Sequence, residues 1–319
     1  MTVLDEYKVN LEKTFRSCEL CERMSEVERR CIVGTLVCPL HAVELFQYRK
    51  CTKESVEGLA KGTLLFKSPI RFNDPFDSML FWDEARIKHY FEDDKYKRVL
   101  LNLNLLDAEC VARSLSNCFR ISCFSETCVS PIMWAHYADA CKGYCVGYEL
   151  RPSLEETIKV GEGDSCEECL CSLFPVIYSK RRVDATTALS REIEYLVANE
   201  NGTVGELPLD SYDRLEPYKT VLYKSNDWAY EHEWRGIIYG LTTTRDKDWL
   251  YPSENITRVI LGPNISSKDI VAVNKALREY VRFVNRPIKL QKIKVNLQSD
   301  AYAFEIEDWG DISVPRFVK

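Results

Sequence analysis

The chain has 319 residues, 45% hydrophobic and 29% charged, the mix of a soluble globular protein; disordered, collagenous and coiled-coil chains are excluded. Lys and Arg total 43 against 49 Asp and Glu, so the formal charge is −6 and no global field draws the chain to nucleic acid or anionic lipid. At about 100–200 residues per domain, the length predicts one large domain with an appendage, or two domains.

No apolar run reaches the ~18–20 residues that a bilayer span needs. Near the N-terminus Asp5, Glu6 and Glu12 fall where a signal peptide would carry its apolar core, so the expectation is a cytoplasmic protein with no membrane partner. Fourteen cysteines are many for such a protein. Without a secretion signal, metal binding or buried thiols explain them better than a disulfide framework.

Residues 1–44 are polar and helical in flavour. Cys18-x2-Cys21 and, sixteen residues on, Cys38-x2-His41 form two ligand pairs at zinc-knuckle spacing. Two residues between ligands let a tight turn place both on one tetrahedral ion, and three thiolates with one imidazole suit zinc. The expectation is a closed, structural zinc site, with Cys31 in the spacer as an alternative ligand. Unrelated helical cysteines are the plainer reading.

Residues 45–319 form the expected main domain. LFQYR (45–49) reads as a strand, Thr52 caps a short helix that Gly62 ends, and TLLFKS (63–68) is the next strand. FNDPFD, Phe72 to Asp77, is turn-rich: Asn73 and Asp74 can bond their own backbone and Pro75 restricts Asp74. A helical stretch lies near 83–117, with a solvated His89, and FRISCFS (119–125) is a strand. Ser130 and Pro131 open a helix through MWAHYADA that Gly143 closes, and YCVGYEL (144–150) follows as a strand.

Cys118, Cys123, Cys141 and Cys145 sit in apolar segments and read as packing residues; a nucleophilic pair of Cys123 with His136 is the sharper alternative. Cys166, Cys169 and Cys171, in SCEECLC, offer three soft ligands without a local fourth, or the thiols of a surface loop. LFPVIYS (173–179) is a strand, and helices are expected over 183–200 and 208–225.

The densest polar run is Trp228 to Arg235, leading into the strand WRGIIY (234–239). Along a strand Glu231 and Glu233 share a face and His232 takes the other. Two such carboxylates repel, so one needs a raised pKa or a cation, for which Arg235 is a candidate. A solvated strand edge is the bland alternative. TRVILG (257–262) is a strand. Ser266 and Asp269 cap a helix to about Val284 with Ile270, Val273, Leu277, Tyr280 and Val284 on its apolar face, and PIKLQKIKV and AYAFEIE close the chain as strands. Strands and helices do not alternate strictly, which predicts an α+β fold: mixed, largely antiparallel sheets with flanking helices.

Within 275–294, Lys275, Arg278, Arg282, Arg286, Lys289, Lys292 and Lys294 face a single acid, Glu279. This local patch is either a solvated face or a nucleic-acid or phosphate contact. GxGxxG after a strand, GxxxxGK[ST], HExxH and GxSxG are all missing, which disfavours dinucleotide folds, P-loop NTPases, zinc proteases and α/β-hydrolases.

The ordered set FKSPIRFNDPFD, ISCFSE, PIMWAHYADACKGYCVGYE, WAYEHEWR and TRVILGPNIS resembles a large bacterial family carried as a domain of unknown function, over about residues 45–307. A second resemblance is to the R-S-E class of ADP-ribosyltransferases: Tyr48-Arg49 on a first strand, a short helix, a strand ending in Ser68, and later Glu231-x-Glu233. That resemblance implies NAD as substrate and a mono-ADP-ribosyltransferase or NAD glycohydrolase, such as a toxin or phage-defence effector with a macromolecular acceptor. It implies that Arg49 grips a phosphate or ribose, Ser68 supports the nicotinamide pocket, Glu233 stabilises the oxocarbenium-like ribose and Glu231 orients or deprotonates the acceptor. Phe72, Trp134 and Tyr137 are candidates to stack on nicotinamide, and Asn73, Asp74 and His136 to line the cleft. The chain departs from that class in having Lys67-Ser68-Pro69 where Ser-Thr-Ser is usual.

Two other functions stay open. One is a non-enzymatic, zinc-containing module that binds a nucleic acid, nucleotide or protein partner through residues 1–44 and the basic patch. The other is a nuclease holding Mg²⁺ on Asp74, Asp77, Glu231 and Glu233, since hard carboxylates suit that ion.

Overall fold

A computed structural model describes residues 3–16, 41–77, 80–160, 167–204, 216–239, 249–252 and 255–313. Cys18, Cys21, Cys31, Cys38 and Cys166 lie outside them, whereas His41 is described and exposed. No described helix is long and apolar enough to cross a membrane.

The strands are β1 (Val43–Arg49), β2 (Thr63–Phe66), β3 (Phe119–Ser125), β4 (Tyr144–Leu150), β5 (Ser153–Val160), β6 (Glu167–Pro175), β7 (Ile177–Ser179), β8 (Tyr223–Ser225), β9 (Glu233–Tyr239), β10 (Trp249–Pro252), β11 (Ile256–Leu261), β12 (Ile288–Val295) and β13 (Phe304–Ile312). One large sheet runs β13-β12-β11-β4-β1-β3-β9-β6-β5, beside the pairs β10-β2 and β7-β8. Within the large sheet every pairing is antiparallel except β11 with β12. That parallel step requires a crossover, supplied by the helix Ser267–Val284. The fold is α+β with a mixed, largely antiparallel sheet, as the sequence pattern predicts.

Helices α1 (Val3–Arg16), α2 (Lys53–Lys61), α3 (Glu84–Glu92), α4 (Asp94–Asn102), α5 (Ala108–Asn117), α6 (Pro131–Tyr137), α7 (Thr186–Glu200), α8 (Glu216–Leu222) and α9 (Ser267–Val284) flank it. Thr52 caps α2 by accepting the Ser55 N–H, and Gly62 closes it in the left-handed region. Ser266 caps α9 through Asp269 N–H. The expected helical stretch over 83–117 is broken into three, because Asp83, Asp93 and Asp107 each accept a backbone N–H and start a new helix.

The expected strand 173–179 is likewise split. It begins at Glu167 and breaks after Pro175, before β7. Within 208–225, the described helix covers only Glu216–Leu222 and gives way to β8. β5 and β10 have no counterpart in the sequence reading; the SLEETIKV run of β5 alternates too weakly to flag a strand.

Tyr7, Leu11 and Phe15 recur at helical spacing on α1 and enter the main core. Tyr7 stacks on Trp234 and Phe15 meets Phe174 edge-on, at ring separations of 6.2 and 6.0 Å. These three residues join α1 to the core of the main body.

Candidate functional site

Glu231 and Glu233 converge, but not by simple strand alternation. Asn226–Glu231 is a 3-10 turn, and β9 begins only at Glu233. Between them His232 adopts the left-handed conformation, φ 45° and ψ 51°. Two bonds hold this kink: Glu126 N–H donates to the His232 carbonyl at 3.1 Å, and Ser125 Oγ donates to the Glu231 carbonyl at 2.7 Å. Tyr178 Oη accepts the Glu233 N–H at 2.8 Å.

Both carboxylates close on one ammonium. Lys224 Nζ, presented by β8, lies 2.5 Å from Glu231 Oε2, 2.9 Å from Glu233 Oε2 and 3.6 Å from Asp77 Oδ2. Arg235 Nε donates to Glu233 Oε1 at 2.9 Å, Nη2 to Asp77 Oδ2 at 2.6 Å and Nη1 to the Val221 carbonyl at 2.6 Å. The five side chains are between 0% and 9% exposed. Phe72 lies 5.3 Å from the Arg235 guanidinium and Trp228 5.1 Å from the Lys224 ammonium.

Three acids face two cations, so the cluster has one more carboxylate than it can neutralise. Burial, and then the charge of Glu233, push Glu231 above the usual carboxylate range, against the pull of Lys224 and Tyr137. For Glu233, burial acts upward too, but the charges of Arg235 and Lys224 outweigh it and hold the group down to about 2. Glu231 is thus the place where a proton resides most readily. The expectation that one acid has a raised pKa and that Arg235 serves as a counter-ion agrees with this arrangement.

Tyr137, half-buried at the end of α6, donates its hydroxyl to Glu231 Oε1. Asn73 Nδ2 reaches Tyr137 Oη at 3.4 Å, and His136 Nδ1 meets Tyr230 Oη at 3.1 Å. Asn73 and His136 are exposed. Glu231 itself is buried, and Tyr137, Asn73, His136 and Tyr230 lie between it and the exposed surface. The arrangement is a buried carboxylate that contacts a tyrosine hydroxyl on one side, with a second carboxylate held by Arg235 and Lys224 on the other.

FNDPFD, MWAHY and YEHEWR are thus brought to one place: Phe72, Asn73, Asp77, His136, Tyr137, Glu231, Glu233 and Arg235. Asp74 is buried in the same turn, where one oxygen accepts Phe76 N–H at 2.9 Å and the other has no partner. Sequence reasoning missed Lys224, Tyr178 and Tyr230, and weighed Asp77 only as a metal ligand. The one signal for Lys224 was the demand of two adjacent carboxylates for a cation.

Arg49 is not part of this site. Phe46 pairs with Ser125, and Ser125 with Glu233, so those side chains share a face; Arg49, three residues from Phe46, leaves the opposite one. Arg49 donates to Gln47 Oε1 at 2.9 and 2.6 Å, to Tyr148 Oη at 2.6 Å and to the Thr63 carbonyl at 3.2 Å, and shares no bonded partner with Glu233. Ser68 precedes the short 3-10 turn Pro69–Arg71, and its buried hydroxyl has no partner.

Trp134 is fully buried and bonded to the Cys128 carbonyl at 2.8 Å, and Tyr48 packs on it while donating to the Thr127 carbonyl at 2.8 Å. Trp134 builds a second core with Phe46, Cys145 and Ile260 and is closed to a ligand, while Tyr48 packs against that core partly exposed. Phe72 is committed to Arg235. Burial raises the Cys123 thiol well above the ordinary range, and Glu233 adds to this, so it is no thiolate partner for His136. Cys169 and Cys171 pack in or against the main core. No group of three metal-binding side chains occurs among the described residues.

The basic stretch is divided. Lys275, Arg278 and Arg282 are exposed on α9, and Arg286 donates to the Ile256 carbonyl at 2.7 Å. On β12, Lys294 pairs with Glu307 at 2.5 Å, and Lys289 lies opposite Asp311 of β13. Elsewhere a cavity of about 270 Å³, bordered by Lys50, Cys51, Asp139, Lys142 and Asp269, holds none of the predicted site residues.

Residues 133–236 match the family model described as protein of unknown function (DUF2971). That span carries Tyr137, Lys224, Glu231, Glu233 and Arg235. No curated protein and no solved structure matches the chain.

Proposed function

We propose that the Glu231 centre carries out acid–base chemistry at a glycosidic carbon, with NAD⁺ as the donor. Nicotinamide leaves with the electron pair of its bond to the ribose, and water or a macromolecular acceptor attacks the resulting oxocarbenium-like carbon. Glu231 takes the proton of the attacking oxygen, directly or through the Tyr137 hydroxyl. A raised proton affinity makes a carboxylate a stronger proton acceptor. Glu233, fixed as an anion by Arg235 and Lys224, sets the affinity of Glu231 through their shared ammonium.

The observation that supports this reading is the pair of carboxylates on one ammonium whose proton affinities are driven apart, the pattern of acid–base centres. The reading assigns no role to Arg49 or Ser68 and gives Asn73 and His136 the role of meeting the nucleotide. The test is incubation with NAD⁺ labelled on the adenylate, with and without cell lysate, beside Glu231→Gln. Free nicotinamide with label on lysate protein indicates transfer, and free nicotinamide with free ADP-ribose indicates hydrolysis. No turnover of NAD⁺ in either condition rejects the proposal.

A second reading, a non-enzymatic zinc-bearing binding module, draws on the saturation of the cluster. Lys224 is engaged by three carboxylates, and Arg235 by two and the Val221 carbonyl, as in a network that specifies structure rather than chemistry. On that reading Asn73, His136 and Tyr230 bind a ligand without turning it over.

A further inference from the structure

Glu126, at the end of ISCFSE, touches the kinked segment twice. Its backbone N–H holds the His232 carbonyl at 3.1 Å, and its carboxylate Oε1 accepts the Trp234 indole N–H at 2.5 Å. His232 separates the two carboxylates of the pair, and Trp234 stands between Glu233 and Arg235. The same Oε1 atom is ion-paired with Lys8 of α1. One turn of chain therefore ties together the conformation that aims Glu231, the strand that carries Glu233, and a helix from the far N-terminus.

That helix is seated with a built-in penalty. Tyr7 stacks on Trp234 but buries its hydroxyl without a partner. An orphaned buried donor weakens the seat that contains it. The apolar contacts of Tyr7, Leu11 and Phe15 hold α1 down, and Lys8 sets its register against Glu126.

We propose that Glu126 is a positioning residue for the Glu231–Glu233 pair, and that docking of α1 through Lys8 keeps it in place. It acts through Trp234 and His232 and touches no reacting group. The inference rests on the carboxylate pair being the functional centre, but its test reads the geometry of the pair and needs no turnover.

Cys123 is the internal reporter. It lies opposite Arg235 in the sheet register, with its thiol bonded to Glu233 and partly exposed, so its alkylation rate, relative to the wild type, reads how tightly the cluster holds the thiol. Cys145 is fully buried in the second core, against Phe46 and Trp134, and reports on the remainder of the fold. The experiment is residue-resolved iodoacetamide labelling of the full chain, read by mass spectrometry.

Glu126→Ala and Lys8→Glu are expected to speed Cys123 labelling about tenfold or more, through local opening, and to leave Cys145 unchanged. Glu126→Gln, whose amide oxygen still accepts the indole N–H, is expected to stay within about threefold of the wild type. Tyr7→Phe, which removes the orphan hydroxyl, is expected to slow Cys123 labelling. Two results overturn the proposal: an unchanged Cys123 rate in Glu126→Ala, or Cys123 and Cys145 rising together, which is general unfolding rather than release of the pair.

Discussion

Glu231 and Glu233 hold one ammonium between them, at 2.5 and 2.9 Å from Lys224 Nζ, although the residue separating them is in a left-handed conformation. The kink lets the last residue of a turn and the first residue of a strand aim at the same point. It also puts Glu231 on the side of Tyr137 and Glu233 against Arg235.

Removing the ammonium leaves two buried acids without their shared partner. Lys224→Met is expected to cost about 3–5 kcal/mol of stability in urea unfolding. Lys224→Arg is expected to cost less, since it keeps the charge. A loss in Lys224→Met no larger than that of an exposed lysine substitution contradicts the assigned ion pairs.

The two acids make opposite contributions to stability against pH. Glu233 has a folded pKa of about 2, below the usual value of 4.5, so its contribution is complete above pH 4.5 and is lost as pH falls toward 2. That contribution is about 3 kcal/mol. Glu231 has a raised folded pKa, so its contribution is complete below the usual carboxylate value and is lost as pH rises through the folded pKa. Unfolding free energies between pH 2 and 5 are expected to fall with acid in the wild type. Glu231→Gln is expected to keep that fall and to lose the wild type's decline above pH 4.5, where Glu231 ionises; an unchanged profile above pH 4.5 contradicts the assignment.

His232 pays for its left-handed backbone in strain, which glycine does not. His232→Gly is expected to retain or raise stability by up to about 1 kcal/mol, and His232→Val to lower it by about 1–3 kcal/mol. Thermal melts of the two variants check this order.

Much of this was legible in the sequence, and the divisions have physical causes. Thr52, Ser130 and Ser266 each accept a backbone N–H as local capping rules require. The apolar runs of β3, β4 and β9 are buried strands, since the side chains that fill both faces of a sheet need no partner to be identified. The acid pair announced itself by its own repulsion. Lys224 did not, because it sits on a three-residue strand whose pairing with β7 depends on tertiary contacts. Asp77 comes from 158 residues away to reach Arg235, a distance no local pattern spans. Arg49 shows a related limit: motif order along a chain says nothing about which face of a sheet each residue takes.

The cysteine segment offers its own test. Residues Cys18, Cys21, Cys38 and His41 have zinc spacing, and the purified chain is expected to carry about one zinc per molecule by plasma mass spectrometry. Cys18→Ser is expected to abolish stoichiometric zinc. Zinc-free protein of normal stability contradicts the site.

The most direct measurement is nicotinamide release from NAD⁺ by the wild type, Glu231→Gln and Arg49→Lys, each checked for native circular dichroism. The account predicts release by the wild type, a loss of about 100-fold or more in Glu231→Gln, and a rate within about threefold of the wild type in Arg49→Lys, which lies on the other face of the sheet. Full activity in Glu231→Gln, or its loss in Arg49→Lys alone, contradicts it.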